Sequence, residues 1–396
     1  MRRMLIYFGC IVIFVFGSFY GCKSIEEPIT TDTTGVRTEG VESINSIICT
    51  KSSLRRMAET ENGYYAQFLN TLFYADKSNM SNWVPVCNMP ECEHQDDTCP
   101  ANVGETFFVE GDKIYTLRNT ESFDLESDHC RNGIFSMALD GTHLQMETEI
   151  QCNASMHGGS NYTTLLSPTM ACGCYSYLQS DGLYLNQLLL TIGGETKVLC
   201  ESTTEEKITT SLVGTFSLRG DWVAASEMRS GADHFLDYLY RIENGELVEV
   251  AGLRKFDLSG AYLDGDILYH TGDDGYYVTN LSTGESEKRA DTQLESSSAY
   301  HLSPSYIVES NIIDNFMPEN PEIEIYDGTQ WKSVILSEEL AHEGFPYCFP
   351  YAMSTEYIFF IGEKQIQQEY MQLLYCVSLT DESCTLYPCG EFEALK

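Results

Sequence analysis

A repeated β-unit constrains the fold of this chain more than any other feature. Its clearest copy is Asp264–Lys288, where the apolar run Ile267–Tyr269 follows a Gly-Asp turn. The turn Gly272–Gly275 then leads into a second run, Tyr276–Leu281, and a Ser-Thr-Gly turn closes the unit. Short aromatic and β-branched runs bounded by turn residues are typical of β-hairpins, so we expect two paired strands here.

The opening of this unit recurs along most of the chain. Seven segments combine a short turn with an apolar run: Asn62–Tyr65, Glu110–Tyr115, Ser180–Tyr184, Arg219–Val223, Asp264–Tyr269, Pro304–Val308 and Thr355–Phe360. Most copies are about 40 to 50 residues apart, which is the period of propeller repeats. The second and third copies are separated by about 69 residues, well beyond that period, which predicts an insertion at about residues 122–169.

A second pattern follows the opening turn in several copies. It consists of an alternating strand, an Asx or Gly turn and a return strand, in Ile134–Thr142, Tyr238–Leu247, Tyr277–Glu285 and Ile323–Trp331. A single twisted sheet cannot bury both faces, whereas radially stacked sheets cover one another. We therefore predict an all-β fold, a β-propeller of seven blades. A pair of β-sandwiches is the rival fold, and it would not account for the even spacing.

The two ends of the repeat suggest how the ring closes. The last copy offers three strands, Tyr357–Ile361, Gln372–Leu379 and Cys384–Tyr387, and Ser43–Thr50 is the expected fourth. Helical content should be low, and the best short helix candidates are Leu54–Thr60 and Ser337–His342.

The N-terminus reads as a targeting segment. Arg2 and Arg3 precede an apolar run, Met4–Phe16, that is too short for a comfortable membrane span. Residues 1–22 are therefore predicted to be a signal peptide ending in a lipidation site at Cys22. Residues 23–42 are polar and form a flexible tether, and residues 43–396 form a single propeller domain.

The segment Phe19–Cys22 resembles the lipobox of bacterial lipoproteins, in which a small residue precedes the lipidated Cys. Phe19 and Tyr20 depart from that pattern, which prefers Leu and a small residue, so an ordinary secretory signal is the alternative. Over roughly residues 60–390, the repeats are similar to those of Gram-positive-type surface lipoproteins with a TolB-like β-propeller domain of uncertain function. The resemblance implies a location on the extracytoplasmic face of the cell membrane, with the lipid at Cys22 as anchor.

Charge and cysteine content narrow the possible partners. The formal net charge is −36, which makes nucleic-acid binding unfavourable because phosphates would be repelled. Fifteen cysteines are present, and the densest cluster is Cys87, Cys92, His94 and Cys99 within the Cys-rich segment 87–99. In an exported chain, a disulfide between two of these cysteines is the favoured interpretation. A tetrahedral zinc site is the alternative, and inert thiols are a third.

No pattern in the sequence assigns a reaction. The nucleophile elbow, the paired-histidine zinc helix, the phosphate-binding loop and the dinucleotide fingerprint are all absent. We therefore expect no cofactor beyond the zinc alternative, and no catalytic residue is assigned. The predicted function is that of a non-catalytic binding protein whose partner is a protein, a peptide or an envelope glycan. A propeller-fold hydrolase or lyase acting on an extracellular glycan or peptide is the alternative.

Overall fold

A computed structural model shows seven antiparallel sheets that follow one another in chain order. It describes residues 46–47, 57–68, 71–94, 98–103, 107–119, 131–151, 162–204, 214–217, 222–227, 236–243, 246–249, 257–264, 266–272, 274–294, 299–311, 322–338, 340, 347–366 and 369–393. The predicted signal peptide, Cys22 and the tether 23–42 lie outside these ranges. Within them, no helix is long and apolar enough to cross a membrane.

Each sheet contains a four-stranded meander. The first sheet is β1 (Ser46–Ile47), β2 (Met57–Glu59), β3 (Gly63–Phe68), β4 (Thr71–Asp76) and β5 (Val84–Pro85). The second is β6 (Phe107–Glu110), β7 (Lys113–Asn119), β8 (Arg131–Ala138) and β9 (Gln145–Gln151), and the third is β10 (Tyr162–Ser167), β11 (Met170–Leu178), β12 (Tyr184–Ile192) and β13 (Glu195–Thr204). The fourth is β14 (Gly214–Ser217), β15 (Trp222–Glu227), β16 (Leu236–Glu243) and β17 (Glu246–Glu249).

The remaining sheets repeat the same order. The fifth is β18 (Asp257–Asp264), β19 (Ile267–Gly272), β20 (Gly275–Asn280) and β21 (Ser286–Asp291), and the sixth is β22 (Ala299–Leu302), β23 (Ile307–Ser310), β24 (Ile323–Tyr326) and β25 (Trp331–Ser333). The seventh is β27 (Tyr347–Met353), β28 (Tyr357–Ile366), β29 (Glu369–Ser378) and β30 (Thr385–Glu393), with β26 (Ile335–Leu336) parallel to β30 at its edge. The predictions of an all-β chain and of repeated sheets are confirmed, and consecutive four-stranded meanders are the arrangement of a β-propeller.

Buried side chains fill the spaces between successive sheets. Tyr65 and Leu72 of the first sheet pack with Phe107 and Ile114 of the second. Equivalent clusters join the second sheet to the third, the fifth to the sixth and the sixth to the seventh. β10 of the third sheet lies beside β14 of the fourth. Among the described residues, the sheets joined by these clusters bury their faces against their neighbours, as the repeat predicted.

The first sheet also packs against the seventh. Tyr64 and Phe68 of β3 share one cluster with Phe359 of β28 and Phe392 of β30. The rings of Phe68 and Phe392 stack at 3.8 Å between centroids. Residues from the two ends of the chain thus form one continuous core.

The predicted turns locate the meanders well, with one exception. Six of the seven predicted opening segments lead into the second strand of their four-stranded meander. The third, Ser180–Tyr184, instead leads into β12, the third strand, while the equivalent turn is Pro168–Thr169 between β10 and β11. The long spacing that predicted the insertion therefore arose partly from a shift of one strand.

Three other predictions differ from the structure. Much of the predicted insertion 122–169 is regular sheet, since it contains β8, β9 and β10. Its residues 122–130 and 152–161 lie outside the described ranges. Ser46–Ile47 pairs with β2 in the first sheet rather than completing the seventh, which obtains its fourth strand from Tyr347–Met353. Met57–Glu59, within the first helix candidate, is a buried strand because its side chains fill the core of the first sheet.

Candidate metal centre

The Cys-rich segment follows β5, and the residues that flank it are hydrogen-bonded to β4. The Val86 N–H donates to the Leu72 carbonyl at 2.8 Å, and the Leu72 N–H donates to the Ala101 carbonyl at 2.7 Å. One residue of β4 therefore holds both ends of the segment, and Val86 and Val103 pack into the core beside it. Because Cys87 follows Val86 and Cys99 precedes Ala101 by two positions, this arrangement brings the first and last cysteines together.

All four residues predicted as a cluster converge on one point. The Sγ atoms of the three cysteines and a ring nitrogen of His94 lie within 4.8 Å of one another. His94 Nδ1 is 3.3 Å from Cys99 Sγ. Cys99 is fully buried, whereas Cys87, Cys92 and His94 are half-buried. None of the three cysteines forms a disulfide in this structure.

A backbone N–H and burial act on two of the sulfur atoms. The Met89 N–H donates to Cys87 Sγ at 3.5 Å. Burial raises the pKa of the Cys99 thiol to about 12, and the neighbouring thiols of Cys92 and Cys87 add to this, while backbone N–H groups of Ala101 and Asn102 act in the opposite direction. Burial therefore keeps the Cys99 side chain a neutral thiol at neutral pH unless a cation lies beside it.

Tight backbone turns make the short spacing of the ligands possible. Glu91 and His94 both have φ of 59°, in the left-handed region that non-glycine residues rarely adopt. These two turns bracket Cys92 and direct its side chain and that of His94 to the same point. Left-handed backbone costs roughly 1–2 kcal/mol per residue, and a favourable interaction within the cluster has to offset this cost.

Two residues of the second sheet contact the Cys-rich segment. Arg118 of β7 is buried, and its Nη2 donates to the Cys99 carbonyl at 2.8 Å. Gly141, in the turn between β8 and β9, has φ of 79°, and a Cβ atom there would lie 2.4 Å from the Val86 carbonyl oxygen. The cluster therefore sits at the boundary between the first and second sheets and contacts both.

The four candidate ligands are predictable from the sequence, whereas the residues that hold them in place are not. Arg118 stands within an ordinary strand sequence, and its contact with Cys99 depends on packing between two sheets. Cys376, Cys384 and Cys389 lie in or beside β29 and β30 and also form no disulfide. Among the described residues, the group of four is the one set of three or more Cys, His and acidic side chains placed to hold a metal ion.

Comparison with known proteins assigns no family to the chain. No protein-family model matches it. No curated protein matches it either.

Solved structures give weak likenesses. A prolyl endopeptidase has 10% identity and a TM-score of 0.45, with 88% of this chain and 49% of that chain covered. The acylaminoacyl peptidase of Pyrococcus horikoshii has 9% identity and a TM-score of 0.41, with 83% and 51% covered. The AfRom2 CNH domain has 10% identity and a TM-score of 0.36, with 85% and 98% covered. The chain spans about half the length of the two peptidases, and likenesses at these TM-scores carry no assignment of activity.

Proposed function

We propose that this chain is a lipid-anchored, extracytoplasmic β-propeller of seven blades that binds a protein, peptide or envelope glycan without catalysing a reaction. The observation that carries the proposal is the packing of the first sheet against the last. A closed ring buries the faces of the first and last sheets against each other, and its connecting loops can vary without disturbing the blades.

Several contacts support closure of the ring. Phe68 stacks on Phe392, and it also stacks on Tyr351 at 5.6 Å between centroids. The Tyr351 hydroxyl donates to the Gln67 carbonyl at 2.8 Å, and this bond is buried. Apolar and polar contacts together make this junction a core rather than an incidental surface contact.

The Cys-rich segment is the proposed recognition element. Its two ends are held by Leu72, while its middle, Asn88–Glu91, is exposed. Met89 is 38% exposed, although large apolar side chains are usually buried. A surface loop fixed at both ends offers a partner a preformed shape, which lowers the entropy cost of binding. The predicted insertion at about residues 122–169, whose spacing departs from that of the repeated unit and which is the first candidate from sequence alone, is the other proposed recognition element.

The lipid anchor is proposed from the sequence of residues 1–42. A basic start, a short apolar run and a Cys before a polar tether together favour lipidation at Cys22. Labelling cells with radioactive palmitate should mark the full chain and not Cys22→Ala. Labelling of Cys22→Ala, or no labelling of the unaltered chain, would overturn the proposed lipid anchor.

Partner binding can be tested on whole cells. A photo-crosslinking residue at Glu91, exposed in the Cys-rich segment, should yield a discrete adduct. The same residue at Thr283, exposed in the β20–β21 turn, is the control and should yield none. Identical adducts at both positions, or none at either, would contradict the proposed recognition element. Turnover of a peptide or glycan by the purified chain would contradict the non-catalytic role.

A further inference from the structure

We propose that Cys87, Cys92, His94 and Cys99 form a closed structural zinc site, with His94 binding through Nδ1. The inference goes beyond partner binding, because metal content does not depend on any partner. It rests on the convergence of four ligand atoms and on the anchoring of the segment at Leu72.

The distances fit a tetrahedral shell. With zinc–sulfur bonds of about 2.3 Å and zinc–nitrogen bonds of about 2.0 Å, neighbouring ligand atoms in a tetrahedron are about 3.5 to 3.8 Å apart. The separation of His94 Nδ1 from Cys99 Sγ, 3.3 Å, is close to that edge, and every pair of ligand atoms lies within 4.8 Å. A shift of less than about 1 Å per atom would complete the shell, so no rearrangement of the backbone is required.

The ligand set selects the ion. Three soft thiolates and one imidazole suit zinc, whereas calcium and magnesium require oxygen ligands. Four protein ligands fill a tetrahedral shell, which leaves no position for water or substrate and marks the site as structural. Zinc with three thiolates carries one net negative charge, and the guanidinium of Arg118, which donates to the Cys99 carbonyl, lies where it compensates that charge.

A disulfide accounts for less of this geometry. It would use two of the three sulfur atoms. It would not explain why the third sulfur and His94 are directed at the same point. A disulfide between Cys92 and Cys99 would also leave unexplained why Cys87 Sγ, which accepts the Met89 N–H, lies within 4.8 Å of the other three ligand atoms. Zinc accounts for all four ligands and for the left-handed turns that place Cys92 and His94.

The first test measures the metal in the unaltered protein. The full chain, purified without a His-tag or chelator, should contain about one zinc per chain, as expected for a structural site. Replacement of zinc by Co²⁺ should produce the intense visible absorption of tetrahedral thiolate-bound cobalt. A metal content near zero with a disulfide between two of Cys87, Cys92 and Cys99 in the mass spectrum would overturn the proposal, and so would iron or copper in place of zinc.

A matched pair of variants tests the ligand. His94 and His143 both occupy left-handed backbone, with φ of 59° and 58°, and Asn tolerates that conformation. His94→Asn should weaken zinc binding by more than about 100-fold, beyond the 10–100-fold expected for loss of a supporting residue. His143→Asn should leave it unchanged. Equal zinc retention by the two variants would overturn the role of His94. If His94→Asn does not fold, the cobalt spectrum of the unaltered chain still tests for tetrahedral thiolate ligands.

Discussion

Glu59 and Thr355 are 296 residues apart in sequence, yet they join the first sheet to the last. The buried Glu59 carboxylate accepts the Thr355 N–H at 3.0 Å and the Thr355 hydroxyl at 2.7 Å. Lys77 donates to the same carboxylate at 2.7 Å and neutralises it. Because Glu59 lies in β2 and Thr355 lies in the turn between β27 and β28, this one side chain fixes the relative positions of the two terminal sheets.

Glu59→Gln should destabilise the chain. Glutamine keeps the shape but removes the charge and one acceptor, so Lys77 loses its counter-ion and one Thr355 donor loses its acceptor. We expect a loss of about 1.5–3 kcal/mol in the free energy of unfolding, measured by denaturant titration. Glu61→Gln, two residues away and exposed, is the control and should change stability by less than about 0.5 kcal/mol. Equal effects of the two variants would contradict the role of Glu59.

Phe392→Ala should open the same junction from its apolar side. Phe392 is 3% exposed and stacks on Phe68, with Phe73 and Trp83 also in ring contact. Removing the ring leaves a cavity between the first and last sheets, and we expect a loss of about 3–5 kcal/mol.

Thermal unfolding followed by tryptophan fluorescence measures the effect of Phe392→Ala, since Trp83 borders the cavity. Glu391→Ala, on the exposed side of the same strand, is the matched control and should stay near the unaltered value. A loss below about 1 kcal/mol for Phe392→Ala would indicate that the junction contributes little to stability.

Short sequence patterns predicted the meanders because hydrogen bonds between residues close in sequence form the turns. Asp140, Asp327 and Asn280 each accept backbone N–H groups two or three residues ahead, and these bonds form wherever the short sequence occurs. In these three copies, the predicted pattern of a strand, a turn and a return strand is therefore confirmed.

Non-local contacts account for the errors. Asp181-Gly182 makes as good a turn as Pro168–Thr169, and only strand pairing shows which of them opens the sheet. Ser46–Ile47 was assigned to the wrong sheet for the same reason. Its sequence predicts a strand but does not indicate which strand it pairs with. The four ligands could be predicted since they lie within 13 residues of one another. Leu72 and Arg118, which organise them, lie in other strands and carry no signal of that role.

Gly141→Ala should disturb the metal-binding segment, whereas Gly182→Ala should not. Both glycines have left-handed backbone, with φ of 79° and 85°, so both variants carry a strain of about 1–2 kcal/mol. Only at Gly141 would the new Cβ meet a neighbour, the Val86 carbonyl oxygen at 2.4 Å. Since Val86 precedes Cys87, we expect faster zinc loss to a chelator in Gly141→Ala alone. Equal rates of loss would contradict the contact.

Arg118→Met should weaken zinc binding without removing a ligand. The variant loses the hydrogen bond to the Cys99 carbonyl and the positive charge near the thiolates, and losses of this kind lower metal affinity by about 10–100-fold. Competition with a chromophoric chelator measures the change. Lys113→Met, on the same strand but 41% exposed, removes the same charge at the surface and should have little effect. An unchanged affinity in Arg118→Met would show that the site does not need this support.

Glu309 should make the stability of the chain depend on pH in a direction opposite to that of most carboxylates. It is fully buried between the fifth and sixth sheets and accepts the Tyr276 hydroxyl at 2.7 Å and the Leu294 N–H at 2.9 Å. Burial raises the pKa of Glu309 above its ordinary value despite these bonds. The folded chain therefore holds the proton more tightly than the unfolded chain, so the stabilisation is complete below the unfolded pKa and is lost as pH rises through the folded pKa.

Glu309→Gln isolates this effect, because glutamine does not titrate and its altered hydrogen bonding adds only a constant offset. The free energy of unfolding of the unaltered chain minus that of Glu309→Gln should decrease as pH rises from about 4 to 7. Glu285→Gln, in an exposed turn of the fifth sheet, corrects for the large net charge, and its difference should stay flat. A difference for Glu309→Gln that is flat or grows with pH would contradict the raised pKa, and would mean that its hydrogen bonds outweigh burial.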